Sequence, residues 1–157
     1  MTRSKNRHTT KMTSLSAVRL PCASANLRRA ARIVTQLYDA ALRPTKMRST
    51  QFTVLQALTF LPAASQKQLG ELLGMDSTTL TRTLALLREH GWVTSRVGDD
   101  RRELRLALTG SGKRQYDRAL PHWQSAQDRL KDELGPSGLE QMIEATVRAS
   151  QALPRAE

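Results

Sequence analysis

Ser77, Thr78, Thr79 and Thr81 place four hydroxyls within five residues, and Arg82 follows directly with a guanidinium. Further along, Asp100-Arg101-Arg102 sets two guanidinium groups beside one carboxylate. At these spacings the groups suit recognition better than covalent chemistry. Hydroxyls donate to phosphate oxygens or base edges, and an arginine can grip a guanine edge with two hydrogen bonds. Arginine is also drawn into a narrow minor groove by its negative potential. The same hydroxyls serve equally well to cap a helix, and a charged tripeptide is ordinarily a solvated turn. The residue types leave both readings open, so the elements that carry them have to decide.

Those elements follow from periodicity. Pro21 suits the first turn of a helix, where its missing N–H costs nothing. Leu27, Ala30, Ala31, Val34, Leu37, Tyr38 and Ala41 repeat at helical spacing up to Arg43-Pro44. Ser49 caps a second helix that runs up to Pro62. Ser65 and Gln68 have capping-box spacing for a short third, which Gly74 closes. Asp76 or Ser77 caps a fourth that runs to Gly91. On its wheel Leu80, Thr83, Leu84 and Leu87 share one side, with Thr78, Arg82 and Glu89 opposite and Ser77 and Thr81 flanking. From Trp92 the period changes to two: Leu104, Leu106 and Leu108 alternate with Glu103, Arg105 and Ala107. Gly98 to Arg101 is the turn of a hairpin. Thr109 caps a long fifth helix to about Leu134, in which Pro121 is expected to end a turn or introduce a kink. A last helix spans about Ser137 to Leu153. A short helix, a turn and a second helix followed at once by a hairpin is the order of a winged helix-turn-helix.

Composition narrows the function. The 157 residues are 39% apolar and 25% charged, in the range of a globular chain. Aromatic residues are only 4%, which argues against stacking of single-stranded bases on successive rings. The net charge is +11, and residues 1–48 hold eleven Lys/Arg against a single acid, Asp39. That excess attracts polyanions without choosing among nucleic acid, anionic membrane and acidic proteins. The only cysteine, Cys22, leaves no intrachain disulfide and no multi-cysteine zinc site. His8, His90 and His122 lie in separate segments without a carboxylate cluster, so no metal or cofactor is expected. Gly110-Ser111-Gly112-Lys113 mimics a phosphate loop, but that motif's first glycine would fall at Ala107, and Arg114 stands where Ser or Thr is required. No order of Ser, His, Cys and acid suggests a nucleophilic site, and the chain is read as non-enzymatic. The longest uncharged run, Ser49 to Gln66, is broken by polar residues and Pro62 and reads as a buried helix, so the expected location is cytoplasmic. Residues 1–20 carry five Lys/Arg, no acid and no periodicity, and are read as a basic flexible arm.

From about Cys22 to Leu134 the chain resembles a MarR-type transcriptional regulator. The resemblance rests on Asp76-Ser77-Thr78-Thr79-Leu80-Thr81-Arg82, Leu84, Leu87, Gly91-Trp92-Val93, Asp100-Arg101-Arg102, and Leu108-Thr109 with Gly112. It implies a mainly helical fold with a small hairpin wing. Within a domain spanning 21–157, the winged part lies at about 49–109, between dimerisation helices at about 22–43 and 110–153. It further implies a homodimer on double-stranded DNA, with a pseudo-palindromic operator and a repressor's role. Ser77, Thr78, Thr79, Thr81 and Arg82 would enter the major groove, and Arg101 or Arg102, oriented by Asp100, the minor groove. Relatives are released by small aromatic or phenolic effectors, for which Tyr38 and Trp123 are candidate lining residues, each equally an ordinary core or interface residue. Peroxide-sensing relatives carry a reactive cysteine in the first helix. Cys22 is the candidate here, although alignment places the sensing position at Ser24. The chain departs from the pattern at Arg88, where an acid is usual, at Ser95, where a base is common, and in a wing about a residue shorter. The rival reading is a sequence-independent architectural DNA binder, favoured by the basic first third and disfavoured by the Thr-rich face with Arg82.

Overall fold

A computed structural model describes residues 20–98 and 104–153 of the chain. The chain divides after Val34 into two compact units, 1–34 and 35–157. In the first, Asn26 organises the start of the first helix, α1 (Ala23–Leu42). Its side-chain Nδ2 donates to the carbonyls of Cys22 and Leu20, and its Oδ1 accepts from Arg29. Cys22 itself is exposed.

The second unit holds the remaining elements. After a 3-10 turn (Arg43–Thr45) come α2 (Ser49–Phe60), β1 (Ala64–Ser65), α3 (Gln66–Leu73), α4 (Ser77–Glu89), β2 (Val93–Val97), β3 (Leu104–Leu108), α5 (Gly110–Leu134) and α6 (Gly138–Ala152). The core gathers around α2, which buries Phe52, Val54, Leu55, Ala57 and Leu58. That spread of buried positions marks a central helix rather than a surface one. Leu69 from α3, Leu80, Leu84 and Leu87 from α4, Leu106 from β3 and Ala119 from α5 close on it. Phe52 stacks on Tyr116 and Trp123, with ring centroids 5.3 and 5.7 Å away.

Three details depart from the sequence expectation. The hairpin is part of a three-stranded antiparallel sheet in the order β1-β3-β2, because Ala64 and Ser65 pair with Leu106 and Arg105. A two-residue strand has no period to detect. Ser49 does not cap α2: the cap position falls on Arg48, and Ser49 is the first helical residue. As expected, α5 runs to Leu134; Pro121 within it is exposed, between buried Ala119 and Ala126. Finally, α1 stops at Leu42 and tightens into the 3-10 turn, whose Pro44 and Thr45 carbonyls accept from Arg118 and Gln115 of α5.

Candidate nucleic-acid interface

The helix-turn-helix is held by caps at every end. Ser65 accepts from the Gln68 amide at 3.2 Å, while the Gln68 side chain accepts from the Ser65 amide at 2.8 Å. This reciprocal pair starts α3. Gly74, at φ 62°, ends it in the left-handed conformation that a side chain disfavours. Asp76 then caps α4, its carboxylate accepting from the Thr79 amide at 2.8 Å and the Thr79 hydroxyl at 2.7 Å. Those two bonds hold the Asp76 carboxyl below the usual carboxylate range.

The caps and the core sort the α4 side chains. Leu80, Thr83, Leu84 and Leu87 are buried, the four that the wheel placed together. Thr79 is exposed, but its hydroxyl is committed to Asp76. Thr81 accepts from Nε2 of Gln66, the first residue of α3, at 2.7 Å. Ser77, Thr78 and Arg82 are exposed and have no side-chain hydrogen bond among the described residues. The helix thus offers three unengaged polar side chains and one tethered hydroxyl along an outer face backed by a sealed core. Gln66 escaped the sequence reading. It lies one residue after the capping serine, and the legible signal was its place in the first turn of the helix that braces α4.

Asp100, Arg101 and Arg102 lie outside the described residues, and the strands leading to them are described. Their register sets Arg96 directly opposite Arg105 and Val97 opposite Leu104. Like charges facing each other across a ladder are unfavourable alone, and they concentrate positive potential at the base of the wing. Arg105 also donates to Gln68 at 3.3 Å, joining β3 to the start of α3. At the end of α4, the Nε of Arg88 is buried without a hydrogen-bond partner.

Asp39 supports the same body from below. It accepts from the Ser49 amide at 2.7 Å and from Arg48 at 3.2 Å, so a carboxylate of α1 satisfies the first turn of α2. Burial pushes its carboxyl up, but the bonds from Ser49 and Arg48 together outweigh this and hold it below the usual range. Tyr38 donates to Gln127 of α5, and burial raises its phenol. With Trp123 stacked on Phe52, both candidate effector residues make contacts that also serve the packing of the fold. Among the described residues, no group of three His, Cys, Asp or Glu is placed to hold a metal ion, and no helix is long and apolar enough to cross a membrane.

The sequence model of the MarR family matches residues 46–103, the stretch from the start of α2 into the wing. The DNA-bound crystal structure of the M. tuberculosis transcriptional regulator MosR is 33% identical, covering 83% of this chain and 95% of that one with a TM-score of 0.75. The chain belongs to the MarR family. The HTH-type transcriptional regulator YwoH of Bacillus subtilis is 32% identical over 91 residues, 58% of this chain and 66% of its own length. The Streptomyces coelicolor regulator PcaV, solved with its natural ligand, shares the fold at 23% identity and a TM-score of 0.76, over 87% of this chain and 97% of that one.

The family-like run Leu108-Thr109 with Gly112 has a packing cause in this chain. A Cβ at Gly112 would collide with the backbone carbonyl of Trp92. That close approach lets Thr109 N donate to Trp92 O at 3.0 Å, and both Thr109 and Ser111 hydroxyls donate to Gly91 O at 2.6 Å. Only glycine allows α5 to seat against the joint between the α4 helix and the wing. In a MarR-family chain that joint fixes the angle between the two candidate DNA-reading elements.

Proposed function

We propose that this chain is a sequence-specific, double-stranded DNA-binding transcriptional regulator that acts as a homodimeric repressor on a pseudo-palindromic operator. The observation that carries this reading is the outer face of α4. Thr78 and Arg82 lie one turn apart, exposed and unengaged, on a helix whose opposite face is locked into the core. Such a helix enters a major groove with its N-terminal turns, and two copies read half-sites about 34–36 Å apart. Arg101 or Arg102, oriented by Asp100, enters the adjoining minor groove.

The homodimer is supported by apolar surface that the described residues leave uncovered. In α6 no residue is buried, and Ile143 and Val147 are 47% and 46% exposed. A second copy seated there would bury them. Release would follow from a small aromatic or phenolic ligand that favours the geometry unable to span the operator, with Tyr38 and Trp123 as candidate lining. Oxidation of Cys22 is a second route, supported by the exposure of that thiol.

Fluorescence anisotropy on the DNA upstream of the chain's own coding sequence, against a scrambled duplex across a salt series, tests the reading. A preference of roughly a thousandfold that persists at physiological salt is expected. Equal binding to both duplexes, falling together with salt, would point either to the architectural alternative driven by the basic first third or to a regulator whose operator lies elsewhere.

A further inference from the structure

We propose that Gln66 is a specificity-determining residue of the DNA-reading face, acting by turning the Thr81 hydroxyl into a fixed hydrogen-bond donor. The inference rests on the DNA-reading role of α4 and adds to it a residue of the preceding helix and a base preference.

Three threonines of α4 share one chemistry and have different fates. The Thr79 hydroxyl donates to Asp76, and the Thr83 hydroxyl donates to the carbonyl of Thr79 at 2.9 Å. Both protons are used inside the protein. Thr81 instead accepts, from Gln66 Nε2 at 2.7 Å, and its own proton has no acceptor among the described residues. A hydroxyl carries one donor and two acceptor positions, so an accepted bond leaves the proton and a single acceptor position to be placed. The accepted bond also polarises O–H and strengthens it as a donor.

Position makes this consequential. Thr81 is exposed, one turn after Ser77 and beside Arg82. The backbone that carries Gln66 is held by the Ser65–Gln68 capping pair, so the carboxamide is delivered from a fixed helix start. A hydroxyl held in one rotamer before binding loses less entropy on binding than a free one. A donor at this site matches the acceptors of guanine N7 and O6, adenine N7 or thymine O4, and finds only an amino donor on cytosine. Gln66 therefore determines a base preference through Thr81.

The test begins with a randomised duplex library enriched on the wild-type protein. Affinities are then measured for the consensus with each base pair changed, using wild type, Gln66→Ala, Thr81→Val, Thr81→Ser and the Gln66→Ala/Thr81→Val double variant. We expect Thr81→Val to erase a preference over cytosine of about threefold to tenfold at one position. Gln66→Ala should weaken the same preference and no other, the double variant should lose no more than Thr81→Val, and Thr81→Ser should retain it. Thermal midpoints should not move. An unchanged preference in Gln66→Ala, or losses that add in the double variant, would overturn the inference while leaving the regulator reading intact. A uniform loss at all positions with a lowered midpoint would make Gln66 a mere brace between helices and would also overturn it. A library that yields no consensus with wild type would sink the regulator reading and this inference together.

Discussion

Helices α4 and α6 are close in length, 13 and 15 residues, and both segregate apolar from polar side chains at helical period. They end in opposite conditions. α4 buries Leu80, Thr83, Leu84 and Leu87, whereas α6 buries nothing. The difference lies in the partner available. α4 finds α2, α3 and the sheet within its own chain, and its polar face is left for an external ligand. Among the described residues the apolar face of α6 has no such cover. Amphipathic period alone does not bury a helix; a partner within the chain has to meet its apolar face.

The largest expected effect breaks that comparison if it fails. Leu84→Ala, at a site with no exposed surface, should lower stability by about 2–5 kcal/mol in urea unfolding. Ile143→Ala, measured at high dilution, should stay within about 0.5 kcal/mol of wild type. Equal losses would mean that α6 is packed within the chain after all. The same face can be probed by assembly. Ile143→Glu with Val147→Glu should raise the dimer dissociation constant at least about a hundredfold, read by sedimentation, because two charges would have to be buried. An unaltered dimer would place the interface elsewhere.

Gly112→Ala drives a methyl into the Trp92 carbonyl and should cost about 1–3 kcal/mol of stability, with the wing joint the first region to lose hydrogen-exchange protection. Arg82→Ala should leave stability alone and cost about 1–3 kcal/mol of operator affinity, concentrated at one base pair. A loss spread evenly over all DNA would turn Arg82 into a phosphate contact. The smallest effect concerns pH. The carboxyls of Asp39 and Asp76 are both held low in the fold, so their contribution is present above the unfolded value of about 3.9 and fades as pH falls through the lower folded values. Asp39→Ala should therefore cost about 1 kcal/mol at pH 7, and its deficit against wild type should close on acidification.

Much of the winged part was legible in the residues. The Ser65–Gln68 capping pair, Gly74 and the buried quartet of α4 express local rules, since caps and helical period act within a few residues. The sorting of the hydroxyls was not legible. Ser77, Thr78, Thr79 and Thr81 are alike in type and all lie near the start of one helix. Among the described residues, Asp76 engages Thr79, Gln66 fifteen residues away in sequence engages Thr81, and Ser77 and Thr78 have no side-chain partner. Arg96 and Arg105 were likewise only two bases on two strands until the register set them opposite each other.

By itself the sequence determined the order of helices and strands, the caps that bound them, and which face of α4 is apolar. All of these follow from spacing along the chain and the fixed geometry of helix and strand. Tertiary structure alone decided that Ala64 and Ser65 form a third strand, that Gly112 must be glycine, and that Thr81 is tethered to Gln66. Each of these depends on the distance between groups far apart in sequence, and only the closing of the core around Phe52 sets that distance.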